Sequence, residues 1–232
     1  MDIDRRVRTA ATLLIVASAV GCGPSDESQR KADSPIVAAK ASVATQAGEV
    51  LGSRREAQAY FDNARTAFVS NNGAVASNAL RDAAVFTRQQ ADSATAPAKE
   101  ALLSSADELE KLATRVTTGA VKSVKTLDYA FARTQFAEAQ LHCTRALTAW
   151  QAKNAAATGA EMMMLVDHFE RAASDAGQSL ATKTQQTLEA ARSLADKLTH
   201  GGTVVPADVE ASLAAMDKEV HSLMTKTAKL KT

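Results

Sequence analysis

Two histidines and a cysteine are the side chains of this sequence best placed to do chemistry together. His142 lies about three helical turns before Asn154, and His168 lies about four turns after it. If two helices fold back on each other at Asn154, both rings lie at nearly the same level. With Cys143 and the methionines at positions 162–164 nearby, they could bind haem or a transition metal between the helices.

The same histidines also have a packing interpretation. The sequence can be compared with itself after a shift that places Asn72 on Asn154, which is a shift of 154 − 72 = 82 residues. We call this shift the repeat offset. At this offset His142 falls on Tyr60 and His168 falls on Phe86. Aromatic rings thus stand at both positions when the sequence is shifted by the repeat offset, and packing of the rings explains this without a metal.

Two known patterns for binding a metal or haem are absent from the sequence. They are the Cys-x-x-Cys-His pattern of covalent haem and the Glu-x-x-His pairs of di-iron bundles. We therefore predict core packing and no cofactor, with a metal or haem site at His142, Cys143 and His168 as the alternative.

The elements that position these rings are predicted to be helices throughout. The chain is rich in alanine, has only 10 Gly and 4 Pro, and contains no sustained alternation of β-branched and polar residues. Ser34-Pro35 is a start signal for the first helix, Asn71-Asn72-Gly73 is a turn, and Pro97 is a possible kink or break in the second helix. The predicted helices after that turn cover about residues 74–117, 126–153, 155–199 and 206–229.

The matches at the repeat offset indicate an internal repeat. Leu112, Ala113, Thr117 and Gly119 fall on identical residues at 194, 195, 199 and 201. The hydrophobic positions of the two long helices also coincide, with steps of three and four residues. This predicts an all-α fold, an antiparallel bundle of two helical hairpins covering about 35–119 and 120–201. Each contains a helix of about 44 residues, which would be about 65 Å long if it is unbroken. A last helix at 206–229 is equivalent to the start of a third unit.

The N-terminus has the organisation of a secretory signal. Three arginines at positions 5, 6 and 8 precede an uncharged run from Thr9 to Val20. This run is shorter than the roughly 20 apolar residues that a membrane-spanning helix needs, so cleavage is favoured over permanent spanning. Small residues then stand directly before a cysteine, in Ala19-Val20-Gly21-Cys22.

This segment resembles the lipobox of bacterial lipoproteins, although the resemblance is limited to the part of the chain that ends at Cys22. It implies a signal peptide over residues 1–21, diacylglyceryl transfer to Cys22, and anchoring of the mature chain to the cell envelope. Gly rather than Asp at position 23 implies the outer membrane, facing the periplasm, in a cell with two membranes. Residues 22–34 contain no large apolar side chain after Cys22, which predicts a flexible tether before the helical domain at 35–232.

Acylation of Cys22 would leave Cys143 without a disulfide partner, and a lone thiol in an oxidising compartment is safest when it is buried.

The chain without residues 1–21 carries 27 − 3 = 24 basic and 26 − 2 = 24 acidic side chains. This balance gives no electrostatic reason to expect nucleic acid as a partner.

The sequence contains no nucleophile elbow, phosphate-binding loop, dinucleotide fingerprint or zinc-ligand spacing. We therefore expect a non-enzymatic, lipid-anchored scaffold or interaction module that contacts another envelope protein. A metal- or haem-binding bundle and a periplasmic sensor or chaperone-like module are the alternatives.

Overall fold

The computed structural model describes residues 58–229. The predicted signal peptide, the predicted acylation site Cys22, the tether and the start of the first helix at Ser34-Pro35 all lie outside the described residues. Between residues 58 and 229 the chain is helical and has no strand, which confirms the all-α class. The described part of helix α1 covers residues 58–69. The others are α2 (Gly73–Asp92), α3 (Ala98–Thr117), α4 (Val124–Gln151), α5 (Ala155–Asp175), α6 (Thr182–Thr199) and α7 (Pro206–Thr227).

Each of the two long predicted helices is divided in two, at Pro97 as the sequence allowed and after Gly177, where no break was predicted. The first is split into α2 and α3 around Pro97, whose ring nitrogen has no proton to donate to the preceding turn. The second is split into α5 and α6 after Gly177, which has a φ of +63° and ends the helix in the left-handed conformation. Each pair of half-helices then folds back on itself, since α2 packs on α3 and α5 packs on α6.

The result is two antiparallel four-helix bundles that share α4. In the first bundle α1, α2 and α3 pack against α4, and Phe61 of α1 stacks on Phe131 of α4. In the second bundle α5, α6 and α7 pack against α4, and Phe136 of α4 contacts Phe169 of α5. Because α4 has neighbours on all sides, its buried residues do not form a single stripe along the helix.

The helix ends of the two bundles correspond at the repeat offset. Asn72 accepts a hydrogen bond from the Val75 amide at the start of α2, and Asn154 accepts one from the Ala157 amide at the start of α5. The residue before each cap has positive φ, 58° at Asn71 and 57° at Lys153. The structure thus has similar turns at positions that correspond at the repeat offset, while the internal repeat itself stays a prediction.

Candidate functional site

Five polar side chains meet inside the interface between α4 and α5, and we call them the histidine cluster. Three come from α4 and two from α5. The five are Gln135, Glu138, His142, Glu161 and His168. Helix α4 carries its three members at steps of three and four residues, so they lie on the one face that meets α5.

The two histidine rings of the cluster are stacked on each other. Their centroids are 5.1 Å apart and their planes differ by 10°. The side chains of His142 and His168 are only 7% and 4% exposed, so both rings are enclosed by the bundle. The sequence prediction that these rings lie at the same level is therefore confirmed.

His142 is held by one carboxylate from the opposite helix, with its Nδ1 atom 2.6 Å from Oε2 of Glu161. Because the carboxylate can only accept, Nδ1 is the protonated nitrogen in this contact. Burial lowers the pKa of His142 below its usual value. The hydrogen bond to Glu161 raises it and a charge on His168 lowers it again, and the net direction is downward.

His168 lies between an amide and a carboxylate of α4. Its Nδ1 is 2.5 Å from Oε1 of Gln135 and 2.9 Å from Oε2 of Glu138. Only the contact with Gln135 has hydrogen-bond geometry, so among the described residues neither carboxylate oxygen of Glu138 has a hydrogen-bond donor, although Glu138 is 2% exposed. A buried carboxylate in this state is costly unless a nearby positive charge compensates it.

The first bundle carries a ring contact at the same position that takes up no proton in mild acid. Tyr60 and Phe86, which correspond to His142 and His168 at the repeat offset, have ring centroids 6.2 Å apart and planes tilted by 54°. The packing interpretation of the sequence predicted this meeting of rings as well. The two bundles thus hold ring pairs at equivalent positions, and only the pair in the second bundle is able to take up protons.

A second cluster, of charged side chains, links the two bundles through the guanidinium of Arg65. Arg65 of α1 lies 2.8 Å from Asp128 of α4 and 2.9 Å from Asp175 at the end of α5. A third carboxylate, Asp62, lies 3.2 Å from the same side chain. Burial raises the pKa of Asp175 to about 6, since Arg65 is shared among three acids and compensates each only in part.

This shared arginine predicts a pH dependence of stability. The folded-state pKa of Asp175 is raised from 3.8 to about 6, so its contribution to stability is fully present below pH 3.8 and is lost as the pH rises through about 6. We expect Asp175→Asn to raise the free energy of unfolding at neutral pH by about 1–2 kcal/mol and to change it little in acid. Urea unfolding across this pH range measures the difference. Asp62→Asn, which alters a more exposed partner of the same arginine, is the control, and an equal gain from both variants would contradict the explanation.

The remaining candidates from the sequence have structural surroundings. Cys143 is buried at 7% exposure, as predicted, and burial raises the pKa of its thiol to about 12, so it is held as a thiol beside the carbonyl of Leu213. Met162 and Met164 are buried, and Met163 packs against the core that contains Met162.

A groove of about 610 Å³ lies on the outer side of α1 and α2. Its lining is mostly hydroxyl, amide and small side chains. The residues that line it include Tyr60, Asn63, Thr66, Asn72, Val75 and Asp82. Nothing in the described residues shows what would occupy it.

Sequence reasoning found the two histidines but missed their partners. Glu138 lies one helical turn before His142, and Gln135 lies one turn before Glu138, so the spacing was visible. The missing information was that α4 is buried on every side, because a glutamate on a helix is exposed in most proteins. Glu161 is missed for a different reason, since it corresponds to Ala79 in the first bundle and has no polar equivalent there.

Within residues 58–229 no three His, Cys, Asp or Glu side chains are grouped closely enough to hold a metal ion. In the same part of the chain, no helix combines the length and apolar character needed to cross a membrane. Fold and site thus define an all-α protein of two bundles with one shared helix and a buried histidine pair. Comparison with protein-family models, curated proteins and solved structures found no significant match.

Proposed function

We propose that this protein is an exported lipoprotein whose helical body is a non-enzymatic scaffold held at the bacterial cell envelope. The observation that carries the proposal is the Ala19-Val20-Gly21-Cys22 segment directly after the apolar run. Acylation at Cys22 would make the polar residues that follow a tether between the lipid and the bundles. The partners we propose are the membrane, through the lipid, and another envelope protein.

The described structure supports the scaffold part through the distribution of its polar groups. The side chains that the sequence marked as reactive are turned inward, with His142 and His168 hydrogen bonded to other residues of the same chain. The thiol of Cys143 is buried beside a backbone carbonyl. These groups join helices to each other, and a scaffold needs such joints to keep its surface in one arrangement.

A labelling experiment in cells tests the anchor. We expect the full chain to incorporate an alkyne-tagged fatty acid and to fractionate with membranes, because Cys22 is its acylation site. Cys22→Ser removes the acceptor thiol and should abolish the label and release the protein from the membrane fraction. The matched control is Cys143→Ala, which removes the other cysteine and should leave both readouts unchanged. Label that persists in Cys22→Ser, or wild-type protein free of membranes, would refute the proposal.

A further inference from the structure

The two rings of the histidine cluster each use the same nitrogen to hold the opposite helix. Nδ1 of His142 contacts Glu161, and Nδ1 of His168 contacts Gln135 and Glu138. A second proton on either ring must therefore go to Nε2. That proton gives the ring a positive charge inside the interface between α4 and α5.

Charge on both rings at once is unfavourable for a geometric reason. The imidazoles are stacked face to face with centroids 5.1 Å apart, in a site where water is largely excluded. Two positive charges at that separation repel strongly when the surroundings are less polar than water. Glu161 and Glu138 each lie beside one ring and offset part of this repulsion, but within the described residues Glu138 accepts no hydrogen bond.

The other elements around the cluster do not supply a compensating negative charge. On α4 the nearest further group is Arg145, which disfavours a charge on His142. From α1, the uncharged Gln58 contacts Gln135 and accepts a hydrogen bond from Arg171 of α5. The acidic groups of α3 and α7 that pack on α4 lie elsewhere on it, with Glu108 on Arg133 and Asp217 near Cys143.

We propose that the α4–α5 interface around His142 and His168 is an acid-sensitive latch, closed while at most one ring is charged and opened when both rings carry a proton. Opening separates the C-terminal half of α4 from α5 and exposes the polar side chains that now join them. The inference is independent of the lipid anchor. Its failure would leave the proposed function untouched, and loss of the anchor would leave the latch intact.

The equivalent contact in the first bundle is an internal reference. Tyr60 and Phe86 carry no group that titrates in mild acid, so the α1–α2 interface should not respond. Asp175 does respond in mild acid, but its raised pKa makes protonation favourable to the folded state. Loosening of α4–α5 in acid therefore cannot come from Asp175.

Hydrogen exchange of the folded chain at about pH 7.5 and about pH 5, corrected for the intrinsic pH dependence of exchange, tests the latch. We expect peptides covering residues 135–142 and 161–168 to lose protection by at least about tenfold relative to peptides covering residues 60–86. His142→Gln retains a donor for Glu161 but takes up no proton, and should remove most of this loss. His168→Gln should do the same from the other ring.

The outcomes separate clearly. Equal loss of protection at both interfaces means general acid destabilisation and overturns the latch, as does unchanged protection at α4–α5. A response that survives in both glutamine variants assigns the trigger to other groups and also overturns it. The wild-type comparison decides the question by itself if either variant is poorly folded.

Discussion

Phe131→Ala is expected to lower the free energy of unfolding of the helical body by about 3–5 kcal/mol. Phe131 is fully buried on α4, its ring stacks on Phe61 with centroids 4.5 Å apart, and the guanidinium of Arg65 lies 5.1 Å from its centre. Truncation removes the apolar contact, leaves a cavity in the first bundle, and deprives Arg65 of the ring face beneath it.

The location of Phe131 makes a second consequence measurable. The only tryptophan, Trp150, is in the second bundle at the opposite end of α4. Because α4 belongs to both cores, we expect the two bundles to unfold in one transition. In urea, the midpoints reported by Trp150 fluorescence and by far-ultraviolet circular dichroism should therefore fall together in Phe131→Ala.

A control variant separates this effect from a general loss of apolar side chains. Val85→Ala alters a side chain of the first bundle that is 51% exposed, and should change stability by no more than about 0.5 kcal/mol. If Trp150 reported an unchanged midpoint in Phe131→Ala while the dichroism transition shifted or split, the bundles would be independent. That outcome would contradict the coupling through α4.

Gly159→Ala is the second large effect, and it arises where the backbone of α5 lies close to the backbone of α6. A methyl group at Gly159 would lie 2.5 Å from the Ala195 carbonyl oxygen and 2.9 Å from the Thr199 amide nitrogen. These are backbone atoms, so the two helices must move apart. Overpacking of this kind costs about 1–3 kcal/mol or more, which exceeds the roughly 1 kcal/mol that alanine gains over glycine in helix propensity.

We expect Gly159→Ala to lower the free energy of unfolding by about 2 kcal/mol. The measurement is a reduced urea midpoint with an unchanged circular dichroism spectrum. The matched control is Gly73→Ala in the first turn of α2, where the new methyl group would lie 3.5 Å from the Val116 carbonyl oxygen, an ordinary contact. Position 155, which corresponds to Gly73 at the repeat offset, is already alanine. Gly73→Ala should be neutral or slightly stabilising, and a stable Gly159→Ala would show that α5 and α6 adapt to the methyl group.

The close approach at Gly159 also distinguishes the two bundles. The corresponding residue in the first bundle is Ser77, which is buried and whose hydroxyl has no hydrogen-bond partner among the described residues. A serine side chain fits at that position, whereas only a hydrogen atom fits at Gly159. The second bundle is therefore packed more closely at this level.

The sequence by itself determined the helical class, the turns at Asn72 and Asn154, the burial of Cys143 and the meeting of His142 with His168. These follow from local propensity, cap chemistry and the distance of a residue from a turn, all of which are short-range properties. Pro97 was visible as an interruption, but the sequence did not say whether the helix would bend or fold back there, and the break after Gly177 was not predicted. That choice depends on which arrangement buries more apolar surface between helices distant in the sequence.

Only the tertiary structure decided that α4 is shared by two bundles, and this decided the environment of Glu138 and Gln135. Helical periodicity identifies one buried stripe, so it describes a helix with a solvent face and fails for a helix surrounded on every side. The approach of α5 to α6 at Gly159 and the sharing of Arg65 among three acids are likewise long-range. They depend on how separate helices dock, and no local pattern in the chain encodes that docking.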